Sequence, residues 1–292
     1  MLRLALTILC AISFSASVSA EPLIIAHRGG ASDWPENTLL AFQESKDIGV
    51  DAIELDVQLT RDGIPVVFHS PDLSRTTNGV GAIGNKNLKY IKSLNAGWNF
   101  AAERQYPYRR YNLEIPTLAE VLTQVSDIPL IIDLKSLPAK PLIKALVDTI
   151  DEKQWSRLVF YSTNSEHLKS FHRFKPDAVT FEDRSISRKR LLAVANQQVC
   201  LHNSASLWIG FELNRTMVVT EKFVLGSGQT TLDFHLWTPK SVECTRQKAP
   251  GAKIVLFGIN TEKDYRIAEK LGVDAMYTDS PRQILRMQPT NQ

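Results

Sequence analysis

Residues 24–69 read IIAHRGGASDWPENTLLAFQESKDIGVDAIELDVQLTRDGIPVVFH, and three apolar runs in this stretch each carry or meet charged or histidine side chains. The first run leads into His27, the second carries Glu54 and Asp56, and the third ends at His69. A short apolar run is typical of a buried strand, and a packed interior does not tolerate unpaired charges. We therefore expect these side chains to lie where the strands leave the core, in a functional site.

The second and third runs are separated by Asp62 and Gly63, a strong signal for a two-residue hairpin turn. A connection this short cannot hold a crossover helix, so it predicts antiparallel pairing. Counting back from the turn places Asp56 opposite His69 and puts Glu54 on the same face. The three side chains are thus predicted to converge, although a bulge in the turn would shift this register.

The alternation of strands and helices predicts a parallel sheet, and eight strands in this length fit a TIM (β/α)8 barrel. An open doubly wound sheet is the alternative, but no Gly-x-Gly-x-x-Gly follows the first strand. Residues 207–220 are apolar with little helical period and are interpreted as extended chain outside the barrel. The predicted strands are 23–26, 52–57, 129–133, 157–161, 178–181, 232–236, 254–257 and 274–278.

Charged side chains follow the predicted barrel strands, and the carboxyl ends of such strands form one rim. On that rim Glu54, Asp56 and Asp133 would repel one another unless a cation lay between them. Ligand sets made only of oxygen favour a hard ion, so we expect one divalent cation, Mg²⁺ or Ca²⁺. A lone acidic residue most often forms a surface salt bridge. That role does not suit Glu54 and Asp56, because they are a pair at the end of an apolar strand.

His27 and His69 are the candidate general acid and base, because histidine titrates near working pH and both follow strands beside acids. Arg28 and Lys135 are candidates to hold phosphate oxygens, Arg28 by a bidentate fork and Lys135 as a point charge. The remaining histidines after residue 20 are interpreted as structural: His167, His172, His202 and His235.

Five motifs follow one another in the order of a known enzyme family. They are His27-Arg28-Gly29-Gly30, Pro35-Glu36-Asn37-Thr38, Glu54-x-Asp56, His69 and Arg75-Thr76-Thr77-Asn78-Gly79. Each motif is weak alone, but in this order the chain resembles the glycerophosphodiester phosphodiesterase family. The resemblance spans the chain after the N-terminal leader and returns at residues 131–135 and 272–281.

The resemblance implies a TIM barrel with an inserted segment, residues 70–116, that caps the active site. It implies metal-dependent hydrolysis of small glycerophosphodiesters to glycerol 3-phosphate and an alcohol. It also implies that Asn37 is a polar active-site residue, with helix capping as its other possible role. Asp133 stands where the family often has Glu, which keeps the charge of the third metal ligand. Ser70 and the run Phe257-Gly258-Ile259-Asn260 depart from the family pattern and bear on substrate preference.

Two other functions are compatible with the same residues. A phospholipase of the D-toxin type would cleave lipid headgroups on a similar barrel and would need an exposed apolar rim. A surface binding module would keep the barrel without catalysis, but the intact His27, His69 and three acids argue against it.

Length and composition describe an ordinary globular protein: 292 residues, 43% hydrophobic and 22% charged, with a formal net charge of +3. This charge gives no indication of nucleic-acid or membrane-surface binding. Length, composition and charge leave the oligomeric state open. We expect one barrel domain over residues 21–292.

The N-terminus has the pattern of a secretory signal peptide. Arg3 gives a positive start, residues 4–14 are apolar, and small residues lie at 18–20. We expect cleavage after Ala20 and export to the periplasm or the medium. A membrane anchor is the alternative, but the apolar run is short for a span. Cys200 and Cys244 remain after cleavage, either paired or as free thiols.

Overall fold

A ring of parallel strands forms the centre of this computed structural model, which describes residues 21–201 and 206–288. The predicted signal peptide, residues 1–20, lies outside the described residues and stays a prediction. Hydrogen bonds order the strands of the main sheet as β5-β4-β2-β1-β10-β9-β6, with β3 paired to β2. The strands are β1 (Leu23–Ala26), β2 (Ala52–Leu59), β3 (Pro65–Val67), β4 (Leu130–Leu134), β5 (Leu158–Tyr161), β6 (Trp208–Glu212), β7 (Asn214–Phe223), β8 (Gly226–His235), β9 (Lys253–Phe257) and β10 (Ala275–Thr278).

The ring closes between β5 and β6 through residues 178–181. Thr180 bridges to Phe160 and Phe181 bridges to Trp208, both in parallel orientation. The sequence predicts a full strand at 178–181, whereas the structure has only these isolated bridges at the eighth position. The predicted TIM-type barrel is confirmed.

The helices pack outside the ring, and several of them begin at residues whose side chains cap them. Thr38 accepts a hydrogen bond from the Ala41 amide at the start of α1, and Thr117 with Glu120 forms the predicted capping box of α3. The helices are α1 (Leu39–Asp47), α2 (Leu88–Lys92), α3 (Leu118–Gln124), α4 (Ala139–Thr149), α5 (Ser165–Phe174), α6 (Arg184–Gln197), α7 (Pro239–Lys248), α8 (Glu262–Leu271) and α9 (Pro281–Leu285). Within the part of the chain that the structure describes, every helix is too short or too polar to cross a bilayer.

The hairpin between β2 and β3 differs from its prediction by one residue. Thr60 and Ile64 close a three-residue loop, with the Thr60 amide donating to the Ile64 carbonyl at 3.1 Å. Gly63 takes a left-handed conformation, with φ of +79°, and supplies the extra residue. Val57 therefore pairs with Val67, and Asp56 lies opposite Phe68 rather than His69. The predicted two-residue turn is wrong.

The sixth barrel strand also differs from its prediction. It is β6, which lies inside the segment 207–220 that the sequence assigns to extended chain outside the barrel, whereas the predicted strand 232–236 lies largely in β8. Gly210 makes β6 a poor strand by composition, yet the barrel requires this glycine. A Cβ there would lie 2.5 Å from the Phe257 ring and 2.7 Å from the Phe181 ring.

β7 and β8 form a separate two-stranded antiparallel sheet, here called the arm. The arm begins two residues after β6 and returns to the barrel where the Leu236 amide donates to the Leu213 carbonyl. Its turn exposes Phe223, Val224 and Leu225 at 62%, 101% and 100%. The arm thus projects from the barrel rim and presents an apolar tip.

Two further features surround the ring. Cys200, after α6, forms a disulfide with Cys244 in α7, which decides between the two states that the sequence left open. Residues 70–116 carry short helical turns, and their Leu73, Ile83 and Ile91 form a small apolar cluster with Val66 and Phe68.

Candidate active site

Three carboxylates meet at the carboxyl ends of neighbouring strands. Glu54 and Asp56 lie on β2, and Asp133 on β4 is the direct register partner of Asp56. One oxygen of each lies within 4.8 Å of the others, and the residues are 2%, 1% and 6% exposed. We call these three residues the acidic triad. The apolar strand residues on either side of them pack into the barrel core and hold the backbone in place.

Burial acts against ionisation of all three carboxylates of the acidic triad. Burial raises the pKa of Glu54 to about 8, and the charge of Asp56 acts in the same direction. Burial raises the pKa of Asp133 to about 6, although Lys135 opposes this. Burial also opposes ionisation of Asp56, but Lys135 and Arg28 outweigh it and lower the Asp56 pKa. Lys135 Nζ lies 2.5 Å from Asp133 and 3.0 Å from Asp56.

The geometry of the triad fits a divalent cation. Oδ1 of Asp56 and Oδ1 of Asp133 are buried and accept no hydrogen bond from any described residue. Lys135 is close to Asp56 Oδ1, but not in hydrogen-bond alignment. Buried carboxylate oxygens without a donor are costly unless a cation binds them. The predicted ligands thus lie together, and their role as ligands stays a prediction.

Arg28 and Asn37 reach the triad from left-handed backbone, with φ of +52° and +59°. The Arg28 amide donates to Glu54 at 2.9 Å, and its side chain contacts Asp56 and Glu36. The Asn37 side chain donates to Asp56 Oδ2 at 2.9 Å and accepts from the Asp56 amide. The cap of α1 is Thr38, so Asn37 is not the helix cap. Such backbone is costly for non-glycine residues and is concentrated at functional sites.

His27 is oriented by residues from the opposite end of the chain. Its Nδ1 lies 2.6 Å from Asp279 Oδ1, and Asn260 donates to the other Asp279 oxygen at 2.6 Å. The Nε2 atom then faces Glu54 at 3.8 Å. Burial alone would lower the His27 pKa, but Glu54 and the Asp279 hydrogen bond outweigh it and raise that pKa. Asp279 directly follows the last predicted strand, 274–278, and so belongs to the rim, but only the structure shows its contact with His27.

His69 lines the same cavity as His27 despite the shifted hairpin register. β3 ends at Val67, and the buried Gln58 then donates to the carbonyls of Phe68 and Ser70, at 3.0 and 2.8 Å. These two bonds fix the backbone on either side of His69. Burial lowers the His69 pKa to about 4, and the cations Arg28 and Lys135 act in the same direction.

The cavity between the two histidines has a volume of about 630 Å³ and extends beyond the predicted site. Its far side is formed by Arg184, Arg188, Glu212 and Arg215, which we call the arginine cluster. Sequence reasoning missed these four residues. The basic character of α6 was a partial signal, but the misplaced sixth strand hid Glu212. Tyr161, Phe257 and Tyr277 complete the apolar part of the lining.

The sequence model of the Glycerophosphoryl diester phosphodiesterase family matches residues 27–283. Uncharacterized protein Rv2277c of Mycobacterium tuberculosis is 38% identical over 266 residues, covering 89% of this chain and 88% of that protein.

Two solved structures are similar in fold and sequence. The crystal structure of the glycerophosphoryl diester phosphodiesterase domain of Rv2277c has a TM-score of 0.83 at 36% identity, covering 92% of this chain and all (100%) of that one. An Oleispira antarctica phosphodiesterase in complex with the product sn-glycerol-3-phosphate has a TM-score of 0.68 at 26% identity, covering 91% and 96% of the two chains.

Proposed function

Because this chain belongs to the glycerophosphoryl diester phosphodiesterase family, we propose that it hydrolyses small glycerophosphodiesters to glycerol 3-phosphate and an alcohol. The observation that carries the proposal is the acidic triad, in which the buried Oδ1 of Asp133 has no donor, beside two histidines in one cavity. The product complex of the Oleispira antarctica phosphodiesterase supports the same class of substrate.

The acidic triad is proposed to hold one Mg²⁺ or Ca²⁺ ion. Such an ion polarises a phosphoryl oxygen and binds a glycerol hydroxyl when present. Lys135 and Arg28 lie beside the triad, so their charges are positioned to hold the remaining phosphate oxygens. Asn37 holds Asp56 through two hydrogen bonds and thereby orients this proposed ligand.

The two histidines are proposed to divide the proton transfers. His27, with its raised pKa and its Nε2 atom facing the cavity, is the group to donate a proton to the leaving alkoxide. His69, with its pKa near 4, is neutral at pH 7 and can accept a proton from the attacking oxygen. Asp279 does not react in this scheme, but it fixes the tautomer and orientation of His27.

Export to the periplasm or the medium is proposed for the mature protein. The pattern in residues 1–20 supports it, and so does the Cys200–Cys244 disulfide, because disulfides persist mainly in oxidising compartments. N-terminal sequencing of exported protein should begin at Glu21. An intact Met1 on protein recovered from the cytoplasm would contradict this proposal.

A product assay tests the proposed activity. The mature protein is incubated with glycerophosphoethanolamine, glycerophosphocholine, glycerophosphoserine and glycerophosphoglycerol, with Mg²⁺ or Ca²⁺, and glycerol 3-phosphate is measured. Release from at least one diester, abolished by chelation, is the expected result. Metal binding without turnover of any diester would instead favour the binding module.

The arm favours a second candidate, the D-toxin type of headgroup cleavage. That activity needs an exposed apolar surface, and Phe223, Val224 and Leu225 supply one at the arm tip. The discriminating assay compares lysophosphatidylethanolamine in vesicles with soluble glycerophosphoethanolamine at equal concentration. Preference for the lipid, with a cyclic phosphate as product, would favour the second candidate.

A further inference from the structure

The arginine cluster faces the acidic triad across the barrel mouth. Around the closed ring, β6 lies four positions from β2, so Glu212 at the end of β6 is opposite the strand of Glu54 and Asp56. Arg184 and Arg188 come from the first turns of α6, and Arg215 from the start of the arm. All four cluster residues line the same cavity as the two histidines.

Part of the cluster is fixed by contacts within the protein. Arg184 donates to both Glu212 oxygens, at 2.5 and 2.6 Å, and to the Tyr161 hydroxyl at 2.7 Å. Its guanidinium lies 4.1 Å from the Phe211 ring centroid. Tyr161 is the register partner of Asp133, so this contact ties the cluster to the edge of the acidic triad.

The arginine cluster carries more positive charge than its single carboxylate neutralises. Glu212 is the shared carboxylate of Arg184 and Arg215, the latter at 3.1 Å. Asp183, at the start of α6, is committed to the amide and hydroxyl of Ser185. The Arg188 side chain makes no hydrogen bond or ion pair with any residue in 21–201 or 206–288. Among the charged side chains that line this side of the cavity, three guanidinium groups and one carboxylate leave an excess of two positive charges.

We propose that the arginine cluster binds an anionic group, a carboxylate or a phosphomonoester, on the leaving alcohol of the diester. This inference rests on the proposed function. With the glycerol end at the acidic triad, the second ester arm of the phosphate extends across the cavity toward β6 and α6. Guanidinium groups favour such anions and disfavour the ammonium groups of choline and ethanolamine.

Two matched substrate pairs test the proposal. Glycerophosphoserine differs from glycerophosphoethanolamine by one carboxylate, and glycerophosphoglycerol is compared with the same diester bearing a terminal phosphate. The readout is the ratio of kcat/KM, anionic over matched substrate, in the wild type and in Arg188→Gln. The matched control is Lys189→Gln, which removes the same charge from an exposed neighbour outside the cavity lining.

The wild-type ratio should exceed one for at least one pair, and the pair with the larger ratio identifies the anion. Arg188→Gln should lower that ratio by roughly 3- to 10-fold, between the effect of an exposed ion pair and that of a charge-assisted hydrogen bond. Lys189→Gln should leave it unchanged. A wild-type ratio of one or less, no change in Arg188→Gln, or an equal change in both variants would overturn the inference alone. No turnover of any diester would overturn the proposed function with it.

Discussion

The two sides of the barrel mouth differ in how firmly their charged groups are held. The acidic triad is 1–6% exposed, and hydrogen bonds from Arg28 and Asn37 hold two of its three members. In the arginine cluster the side chains of Glu212 and Arg215 are 30% and 35% exposed. Groups that take part in bond breaking must be held in place before the substrate binds, whereas recognition of a solvated alcohol tolerates mobile side chains. The contrast predicts that changes on the acidic side abolish turnover and changes on the other side alter substrate preference.

The largest expected effect is loss of the metal. Chelation should abolish activity, and added Mg²⁺ or Ca²⁺ should restore it. Asp56→Asn should weaken metal binding, measured by calorimetry, because it removes one of three charges around the proposed ion. Asp62→Asn is the matched control, since Asp62 lies exposed in the hairpin loop of the same strand pair. Full activity of a verified metal-free protein would contradict the metal site.

The next largest effect concerns the two histidines. His27→Ala and His69→Ala should each lose about 10²–10⁴ in single-turnover rate on glycerophosphoethanolamine, with the fold and metal retained. That loss corresponds to roughly 3–5 kcal/mol at ~1.36 kcal/mol per decade.

His167→Ala is the control for these variants. His167 is buried and bonds Ser162 and the Ser136 carbonyl, so its loss should lower the melting temperature and spare the rate per folded molecule. If His69→Ala instead behaved like His167→Ala, the role of His69 would be structural.

The disulfide follows the opposite end of α6 from the arginine cluster and is expected to affect stability more than chemistry. Cys200→Ser should lower the free energy of unfolding by about 2–4 kcal/mol, because the cross-link constrains the unfolded chain across 44 residues. Urea denaturation measures this change. A reductant should destabilise the wild type and leave Cys200→Ser unaffected. Equal sensitivity of both proteins to the reductant would argue against the Cys200–Cys244 pairing.

The smallest effect is expected at the arm tip. Val224→Ser with Leu225→Ser removes apolar surface that contacts no part of the barrel, so the turnover of soluble diesters should not change. If the second candidate function holds, the double variant should lose vesicle binding, measured by sedimentation, together with several-fold of its rate on lysophosphatidylethanolamine. Unchanged vesicle binding would remove the arm as support for that candidate.

The sequence by itself determined the barrel class and the residues of the acidic side. Apolar strand ends, a capping box and the order of short motifs are local signals that one segment carries alone. These signals led to Glu54, Asp56, Asp133 and His27, which the structure brings to one rim. Their chemical roles stay predictions.

The tertiary structure decided the rest, because the contacts involved are remote in sequence or depend on one residue of register. His27 and Asp279 are 252 residues apart, and no local pattern pairs them. A two-residue type I′ turn needs left-handed backbone at both Asp62 and Gly63, whereas only Gly63 takes it, so the chain forms a three-residue loop instead. Gly210 weakens the sequence signal of β6, and only the structure shows that the Phe257 and Phe181 rings fill the space that a side chain would need at this position. Glu212 is the last residue of this strand. The strand therefore places Glu212, and the Arg184 that pairs with it, opposite the acidic triad.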